Sequence, residues 1–362
     1  MYISEVSGHH QATLAIEKSV RTLAPDCEIV NINGFGYAYP IIEKIINKAY
    51  LSVIKRTPKI WDYLYDNPKV VKKTQKIKEA IHKANHAKLD RLFRDFSPDT
   101  VVCTQAFPCG MVADYKKTYN LSITIIGVLT DYAPHAYWIN EGVDYYIVPS
   151  MDAKERYVQQ GVDEHKIKVF GIPVDQKFSE SLEKNKIAEK LGLDLNIPAV
   201  LVMGGGQGLG PIRTIVKSLL ASEESLQLMV VAGTNKRLIK WLRKIQSRSQ
   251  KKFLVFEFVN NIDELMTVAS LVVTKPGGIT TTEALAKHLP MVIINPIPGQ
   301  EVHNTTFLIK NGVAIRVDKA DQISLEIESL LRAPHRLESM RQAAKEHSRP
   351  HSSMDIAKLI LS

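Results

Sequence analysis

The stretch "PAVLVMGGGQGLGPIRTIVKSLL", residues 198–220, joins an apolar run to a helical pattern through a loop of glycines. The uninterrupted apolar run predicts a strand that is buried on both faces, as in parallel sheets. Pro211 suits the first position of a helix, and the apolar residues after it recur at helical spacing. A strand, a glycine turn and a helix in this order form the repeating unit of doubly wound sheets. The fold class is therefore predicted to be α/β.

The same alternation of apolar runs and amphipathic segments continues along most of the chain. We predict strands at 27–32, 99–104, 121–130, 145–150, 166–171, 198–204, 226–233, 253–259, 271–275 and 291–296. These are many strands for one sheet, and a chain of 362 residues is long enough for two domains. The polar stretch 175–197 is therefore predicted to connect two α/β halves.

The composition is that of a soluble globular protein, with 45% hydrophobic and 23% charged residues. No window approaches the roughly 18 apolar residues of a membrane span. The N-terminus lacks a basic start before an apolar stretch, so it is not predicted to be a secretory signal. The cysteines Cys27, Cys103 and Cys109 do not have metal-ligand spacing, and their small number indicates a reducing cytosolic compartment.

Basic residues are concentrated in one segment. Between Lys44 and Asp95 there are 14 Lys or Arg against 5 Asp or Glu, a difference of +9 that equals the net charge of the whole chain. Aromatic residues are interleaved with these charges, namely Tyr50, Trp61, Tyr63, Tyr65 and Phe93. Such a surface suits an anionic membrane or a nucleic acid. Lysine-rich helices that simply face solvent give the same pattern.

The glycine loop after the strand at 198–204 contains Gly204, Gly205, Gly206, Gly208 and Gly210. Glycines allow backbone N–H groups to approach a phosphate closely, and the following helix N-terminus adds partial positive charge. A strand-to-helix turn alone needs fewer glycines, so we interpret the loop as facing a phosphate. It matches neither a Walker loop nor a dinucleotide fingerprint.

A second glycine turn lies in "TKPGGITTTEALAKHLPMVIINPIPGQEVHN", residues 274–304, where Gly277 and Gly278 separate a strand from a helix. Glu283 in that helix has two interpretations. With Thr280 it has the spacing of a capping box, in which the carboxylate bonds its own helix start. Alternatively, it accepts hydrogen bonds from the two hydroxyls of a ribose. A third loop, at 258–261, either reads a base through its backbone or is an ordinary connection.

Together with "SGHHQATLAIEKSV", "VLTDYAPHAYWINEGVDYYIVPS" and "GIPV", these loops resemble, in order, the monogalactosyldiacylglycerol synthase and processive diacylglycerol glucosyltransferase family. The N-acetylglucosaminyltransferase that makes lipid II is a more distant relative of that family. The resemblance implies a GT-B fold, in which two Rossmann-like parallel-sheet domains face a cleft. Residues 1–175 would form an acceptor and membrane-docking domain, 176–340 a UDP-sugar-binding domain, and 341–362 a helix crossing back to the first. Only "MYIS" precedes "EVSGHH", so the first strand is expected to be a stub.

The resemblance also implies roles for individual residues. The glycine loop would face the diphosphate, Phe258 and Val259 would border the uracil, and Glu283 would hold the ribose. Gln300 and Glu301 would contact the sugar, with Asn304 nearby. The implied donor-binding set is Gly204, Gly205, Gly206, Gly208, Phe258, Val259, Gly277, Gly278, Thr280, Glu283, Gln300, Glu301 and Asn304. On the acceptor side the implied residues are His10, His135 and Trp138, with His9 and Asp131 as the catalytic pair.

The choice of a catalytic base follows from the chemistry of the acceptor. A lipid hydroxyl is a poor nucleophile near neutral pH, so direct displacement at an anomeric carbon needs a base. The candidates are His9, His10 and Asp131. An imidazole titrates near physiological pH, and His9 aligns best with the Gly-His pair of the family, so His9 is predicted to be the base. Asp131 either replaces it in this role or orients it.

The implied reaction is the inverting transfer of a hexose from UDP-galactose or UDP-glucose to diacylglycerol. No cofactor and no metal are expected, since backbone amides and helix dipoles can neutralise a leaving diphosphate. We expect a cytoplasmic protein, peripheral on the inner face of the cell membrane and docked on an anionic membrane surface, and no nucleic-acid partner. The alternatives are transfer to another lipid acceptor of the lipid II type, and a UDP-sugar 2-epimerase, which shares the fold.

Overall fold

The protein is represented by a computed structural model that describes residues 1–2, 7–38, 85–297 and 299–362. These residues form two compact units: Met1–Gln176, Ile297–Gln300 and His351–Ser362 in the first, and Lys177–Pro296 and Glu301–Pro350 in the second. Most of the predicted membrane-docking segment, residues 44–84, lies outside the described residues. Within the described part of the chain, no helix is both long and apolar enough to cross a bilayer.

The first unit contains a parallel sheet whose strands lie side by side in sequence order. They are β1 (Thr100–Cys103), β2 (Thr124–Val128), β3 (Tyr145–Ile147) and β4 (Ile167–Lys168). The helices before and between them are α1 (Gly8–Leu23), α2 (Gly34–Ala38), α3 (His86–Phe96), α4 (Ala106–Tyr119) and α5 (Met151–Gln159). Ile126, Val128 and Ile147 of the sheet pack against Ile16 and Val20 of α1.

The predicted strand at 27–32 is wrong, since this segment is not a strand. A strand requires continuous hydrogen-bonded pairing with a neighbour. Among the described residues, the parallel pairing here is a single bridge between Tyr2 and Asn33. The expected short first strand is thus represented only by Tyr2, because residues 3–6 lie outside the description.

The second unit contains a six-stranded, all-parallel sheet in the order β10-β9-β8-β5-β6-β7. The strands are β5 (Ala199–Met203), β6 (Gln227–Val231), β7 (Phe253–Phe256), β8 (Leu271–Thr274), β9 (Met291–Ile294) and β10 (Ala314–Val317). The helices are α6 (Lys184–Leu191), α7 (Ile212–Ala221), α8 (Lys236–Gln246), α9 (Ile262–Val268), α10 (Gly278–Ala286), α11 (Gln300–Lys310), α12 (Ile323–Leu331) and α13 (Pro334–His347).

Strand β10 was not predicted from the sequence. It lies at the edge of the sheet, where β9 is its only partner among the described strands, and Arg316 within it is exposed. An edge strand lacks the long apolar run that marks a central strand. All five residues of β5, by contrast, are buried, as its apolar sequence predicted. The predicted α/β class with two parallel-sheet domains is confirmed.

Strand β5 marks the point at which the strand order of the second sheet reverses. It pairs with β6 on one side and with β8 on the other. In open parallel sheets, ligands bind beyond the carboxyl ends of the strands at such a switch point. The loops that follow β5 and β8 are the two glycine turns singled out in the sequence.

The last helix, α14 (Ser352–Leu361), belongs to the first unit and packs on α1. The buried hydroxyls of Ser352 and Ser353 donate hydrogen bonds to the carbonyls of Ile172 and Val174, at 2.8 and 2.6 Å. Ile356 is fully buried in the cluster that contains Ile16 and Val20. Both polar and apolar contacts therefore attach α14 to this unit.

Replacing Ile356 with Ala is expected to lower the free energy of unfolding of the first unit by about 2–5 kcal/mol, because it leaves a cavity in a fully packed cluster. Leu361→Ala is the matched control, since Leu361 lies on the same helix and is 43% exposed. Its effect is expected to stay within about 0.5 kcal/mol. Urea unfolding measures both, and equal losses for the two variants would contradict the packing of α14.

Candidate active site

The glycine loop after β5 is held by the loop after β6 through close backbone contacts. Gly208 has φ +56°, and a Cβ there would lie 2.1 Å from the carbonyl oxygen of Ala232. The backbone N–H of Thr234 donates to the carbonyl of Gly206 at 2.9 Å. The side-chain amide of Asn235 donates to the carbonyl of Gly208 at 3.3 Å. Both hydrogen bonds hold the glycine loop through its carbonyl oxygens.

The loop after β7 places an aromatic ring beside this glycine loop. Phe258 is 56% exposed, although it is a large apolar side chain. Its Cε2 atom lies 3.6 Å from the position that a Cβ of Gly206 would take. Val259, the next residue, is half-buried. A flat apolar surface next to a phosphate-type loop can stack on a planar ligand group.

The start of helix α10 tests the capping-box interpretation of Glu283. The helix begins at Gly278 with Gly277 as its N-cap, so Thr280 already lies within the first turn. A capping box needs Thr280 at the N-cap position itself. The capping-box interpretation is therefore excluded, and Glu283 lies half-buried on the second turn of the helix.

Gly277 differs from Gly208 in its surroundings. Its φ is −68°, which any residue can adopt, and a Cβ there would meet no atom within 4 Å. Neither backbone strain nor packing within the described protein therefore requires a glycine at this position. A glycine beside open space at a helix N-terminus suits the close approach of a ligand.

The start of α11 is attached to the loop after β8. Glu301 is 7% exposed, and its Oε1 lies 3.0 Å from Nζ of Lys275. Asn304 is fully buried, and its Nδ2 donates to the carbonyl of Pro276 at 2.9 Å. Gln300 is the first residue of the helix. The structure thus brings Glu301 and Asn304 to the second glycine turn, and it adds Lys275, which the sequence analysis did not select.

In the first unit, His9 is held by residues that follow two neighbouring strands. It is the second residue of α1, whose N-cap is Ser7. Its Nδ1 lies 2.8 Å from the carbonyl oxygen of Thr104, after β1, and 2.9 Å from the hydroxyl of Thr130, after β2. The hydroxyls of Thr104 and Thr13 both donate to the carbonyl of His9.

These contacts assign the tautomer of His9. A carbonyl oxygen can only accept, so Nδ1 carries the proton and donates it toward Thr104. Nε2 then carries the lone pair and is the basic nitrogen. Burial lowers the pKa of His9 below its ordinary value of 6.5, and the hydrogen bond to Thr104 opposes this only in part. At neutral pH the ring is therefore uncharged and able to take a proton.

The other acceptor-side residues lie in different settings. His10 stacks on the ring of Tyr2, with ring centroids 4.3 Å apart. Asp131 follows Thr130 directly and is half-buried. The ring of His135 lies 6.1 Å from that of Trp138, which is only 3% exposed and packs in the core of the unit. The structure therefore distinguishes His9 from His10, and it leaves the acceptor roles of Asp131, His135 and Trp138 as predictions.

Besides Lys275, three residues that build these sites were not predicted from the sequence, namely Thr104, Thr130 and Gly233. Gly233 has φ +58°, and a Cβ there would lie 2.2 Å from the carbonyl of Gly206. In each case the available signal was a threonine or glycine immediately after an apolar run. No group of three or more His, Cys, Asp or Glu side chains suited to a metal ion occurs among the residues that the structure describes.

Comparison with known proteins identifies the family. The family model for monogalactosyldiacylglycerol (MGDG) synthase matches residues 9–174, and the glycosyltransferase family 28 C-terminal domain matches residues 199–360. A processive diacylglycerol beta-glucosyltransferase of Bacillus cereus (strain AH187) is 32% identical over 358 residues, which cover 98% of this chain and 90% of the relative. The chain belongs to the MGDG synthase and processive diacylglycerol glucosyltransferase family. As a member of this family, it is a glycosyltransferase.

Solved structures support the fold of this glycosyltransferase. UDP-GlcNAc 2-epimerase from Neisseria meningitidis, bound to UDP-GlcNAc, aligns with a TM-score of 0.59 at 14% identity, covering 78% of this chain and 82% of the epimerase. MurG of Acinetobacter baumannii aligns with a TM-score of 0.57 at 13% identity, covering 78% of each chain. Identity this low shows the shared GT-B fold and nothing about the reaction.

Two glycine variants separate structural from ligand-facing glycines. Gly208→Ala is expected to lower the melting temperature, because left-handed backbone costs an alanine about 1–2 kcal/mol before the contact with Ala232 is counted. Gly277→Ala is expected to leave the melting temperature unchanged and to weaken binding of UDP roughly tenfold, a change of about 1.4 kcal/mol. Thermal unfolding and calorimetric titration with UDP measure the two effects. Unchanged UDP affinity in Gly277→Ala would contradict close approach of a ligand at this residue.

Proposed function

We propose that this glycosyltransferase moves a hexose, glucose or galactose, from a UDP-sugar to diacylglycerol, with inversion at the anomeric carbon. The proposal is carried by the 32% identity, over 98% of the chain, to a relative named for diacylglycerol glucosyl transfer. The loops of the second unit supply groups suited to a nucleoside diphosphate sugar. His9 in the first unit supplies a neutral base.

In this proposal, each part of the donor has a suitable partner. The glycine loop at 204–210 and the N-terminus of α7 accommodate the diphosphate through backbone N–H groups and the helix dipole. Phe258 offers a surface beside the uracil, and Glu283 accepts hydrogen bonds from the ribose hydroxyls. Glu301 accepts from the sugar hydroxyls. Backbone dipoles can stabilise the negative charge that develops on the leaving UDP, so the proposed reaction requires no metal and no cofactor.

The transfer step needs one base. As the acceptor oxygen attacks the anomeric carbon, Nε2 of His9 takes the hydroxyl proton. The bond between the anomeric carbon and the phosphate oxygen breaks, and UDP leaves with the bonding electrons. A single displacement inverts the configuration, so an α-linked donor gives a β-linked glycolipid.

Diacylglycerol resides in a membrane, so the enzyme must reach a bilayer surface. We propose docking on the anionic inner face of the cell membrane, from the cytoplasmic side, through the basic segment between Lys44 and Asp95. The charge excess of this segment in the sequence supports the proposal. Most of the segment lies outside the described residues. Each basic residue near an anionic surface contributes about 1 kcal/mol.

A transfer assay tests the proposed reaction. The protein is incubated with labelled UDP-glucose or UDP-galactose and diacylglycerol liposomes, and the lipids are then separated. We expect label in a β-linked glycolipid from at least one donor. Parallel reactions contain UDP-GlcNAc with a lipid II type acceptor, or UDP-GlcNAc alone. Transfer only to the other lipid, or isomerisation of the donor without transfer, would overturn the proposal.

His9→Ala is expected to lower turnover at saturating substrates by roughly 10²–10⁴-fold, the effect of losing a general base. Binding of UDP should stay within a few-fold, because His9 does not belong to the donor loops. His10→Ala is the matched control, and Asp131→Asn tests the alternative base. A near-normal His9→Ala together with an inactive Asp131→Asn would assign the base to the carboxylate.

The same residue sets the expected pH dependence. Protonation of Nε2 removes the base, so kcat/KM should fall as the pH drops through the pKa of His9. Burial lowers that pKa from 6.5, so the acid limb should lie below pH 6.5 and the rate should be flat just above it. An acid limb of kcat/KM centred well above pH 6.5 would contradict this. It would show either that a group other than His9 controls the transfer step or that His9 is still protonated at that pH.

Membrane binding is expected to need anionic lipid. Binding to vesicles containing anionic lipid should exceed binding to zwitterionic vesicles and should weaken as salt rises, because the attraction is screened. Reversing Lys72, Lys73 and Lys76 to Glu should reduce vesicle binding and leave UDP affinity intact. Co-sedimentation with the two vesicle types measures this, and equal binding to both would refute the electrostatic account.

A further inference from the structure

Lys275 lies between the two glycine turns of the second unit. It follows β8 directly, and only 15% of its side chain is exposed. Its Cδ lies 4.0 Å from the position that a Cβ of Gly210 would take, so its stem runs past the last glycine of the loop after β5. Its Nζ donates to Oε1 of Glu301 at 3.0 Å, and only 10% of the Glu301 side chain is exposed.

The helix that carries Glu301 is attached to the same loop a second time. One turn further along α11, Asn304 donates to the carbonyl of Pro276, the residue after Lys275. The Thr305 hydroxyl donates to the backbone carbonyl of Glu301 at 2.7 Å. Two successive residues of the loop, Lys275 and Pro276, therefore hold the first two turns of α11 through the side chains of Glu301 and Asn304. The position of Glu301 relative to β8 is therefore fixed by its own side-chain hydrogen bond to Lys275 and by that of Asn304 to Pro276.

We propose that Lys275 is a positioning residue that fixes the Glu301 carboxylate for recognition of the hexose hydroxyls. The inference rests on the proposed function, in which Glu301 contacts the sugar of the donor. A carboxylate on a flexible side chain discriminates poorly between hexoses, because it can move to accept hydrogen bonds from hydroxyls in different positions. Paired with a nearly buried cation, it has one preferred position and accepts hydrogen bonds only from hydroxyls that meet it there. Poor screening at this depth strengthens the pairing.

The test compares a ligand that contains the sugar with one that lacks it. Lys275→Met keeps the apolar stem and removes the charge. It is expected to lower kcat/KM for the preferred UDP-hexose roughly 10–100-fold, as for loss of a charge-assisted contact, while the Kd for UDP changes less than about threefold. Lys275→Arg keeps a cation and should recover part of the loss. Lys190→Met is the matched control, because Lys190 also pairs with a glutamate, Glu264 at 2.9 Å, but its side chain is 62% exposed.

A double variant decides whether the effect passes through Glu301. In a Glu301→Gln background, the further change Lys275→Met should have little additional effect, since the partner it positions is already neutral. This double variant also avoids leaving one buried charge without its counter-charge, so it keeps the test valid if Lys275→Met folds poorly. An equal loss of UDP and UDP-hexose affinity, or an undiminished effect in the Glu301→Gln background, would overturn the inference. Absence of any UDP-hexose turnover by the unmodified protein would instead contradict the proposed function.

Discussion

The second unit depends on the close approach of two backbone loops at the carboxyl edge of its sheet. The carbonyl of Ala232 occupies the space that a side chain at position 208 would need, and the carbonyl of Gly206 does the same at position 233. Only residues without a Cβ allow this packing at positive φ. It brings the loops after β5 and β6 together, and the ring of Phe258 from the loop after β7 lies beside Gly206. The two glycine-containing loops are therefore arranged by backbone geometry alone.

Local patterns made much of this arrangement predictable. The apolar run and glycines at 198–210 predicted a central strand and its loop, because both signals lie within a few residues of each other. Strand β10 was not predicted because an edge strand shows less apolar character than a central one. Segment 27–32 has strand composition, yet composition cannot supply the hydrogen-bonded neighbour that a strand requires.

The candidate site was less predictable where it depends on long-range contacts or on a helix start. His9 was selected from its sequence context, but Thr104, whose carbonyl assigns its tautomer, and Thr130 lie 95 and 121 residues away. Their contribution follows from which strands are neighbours, and spacing in the sequence does not reveal that. For Glu283, two roles fitted one spacing. The position of the helix N-cap, Gly277 rather than Thr280, removed one of them.

The attachment of α14 has a consequence for how the chain acquires its structure during synthesis. Ser352 donates its hydrogen bond to Ile172, a residue 180 positions earlier, so the first unit is completed only once α14 has been synthesised. The second unit is drawn from Lys177–Pro350, apart from four residues. On the ribosome, the complete sequence of the second unit therefore emerges while the α1 surface that α14 will cover is still without its helix. Chaperones that bind exposed apolar surface would meet this face of the nascent chain until α14 is translated.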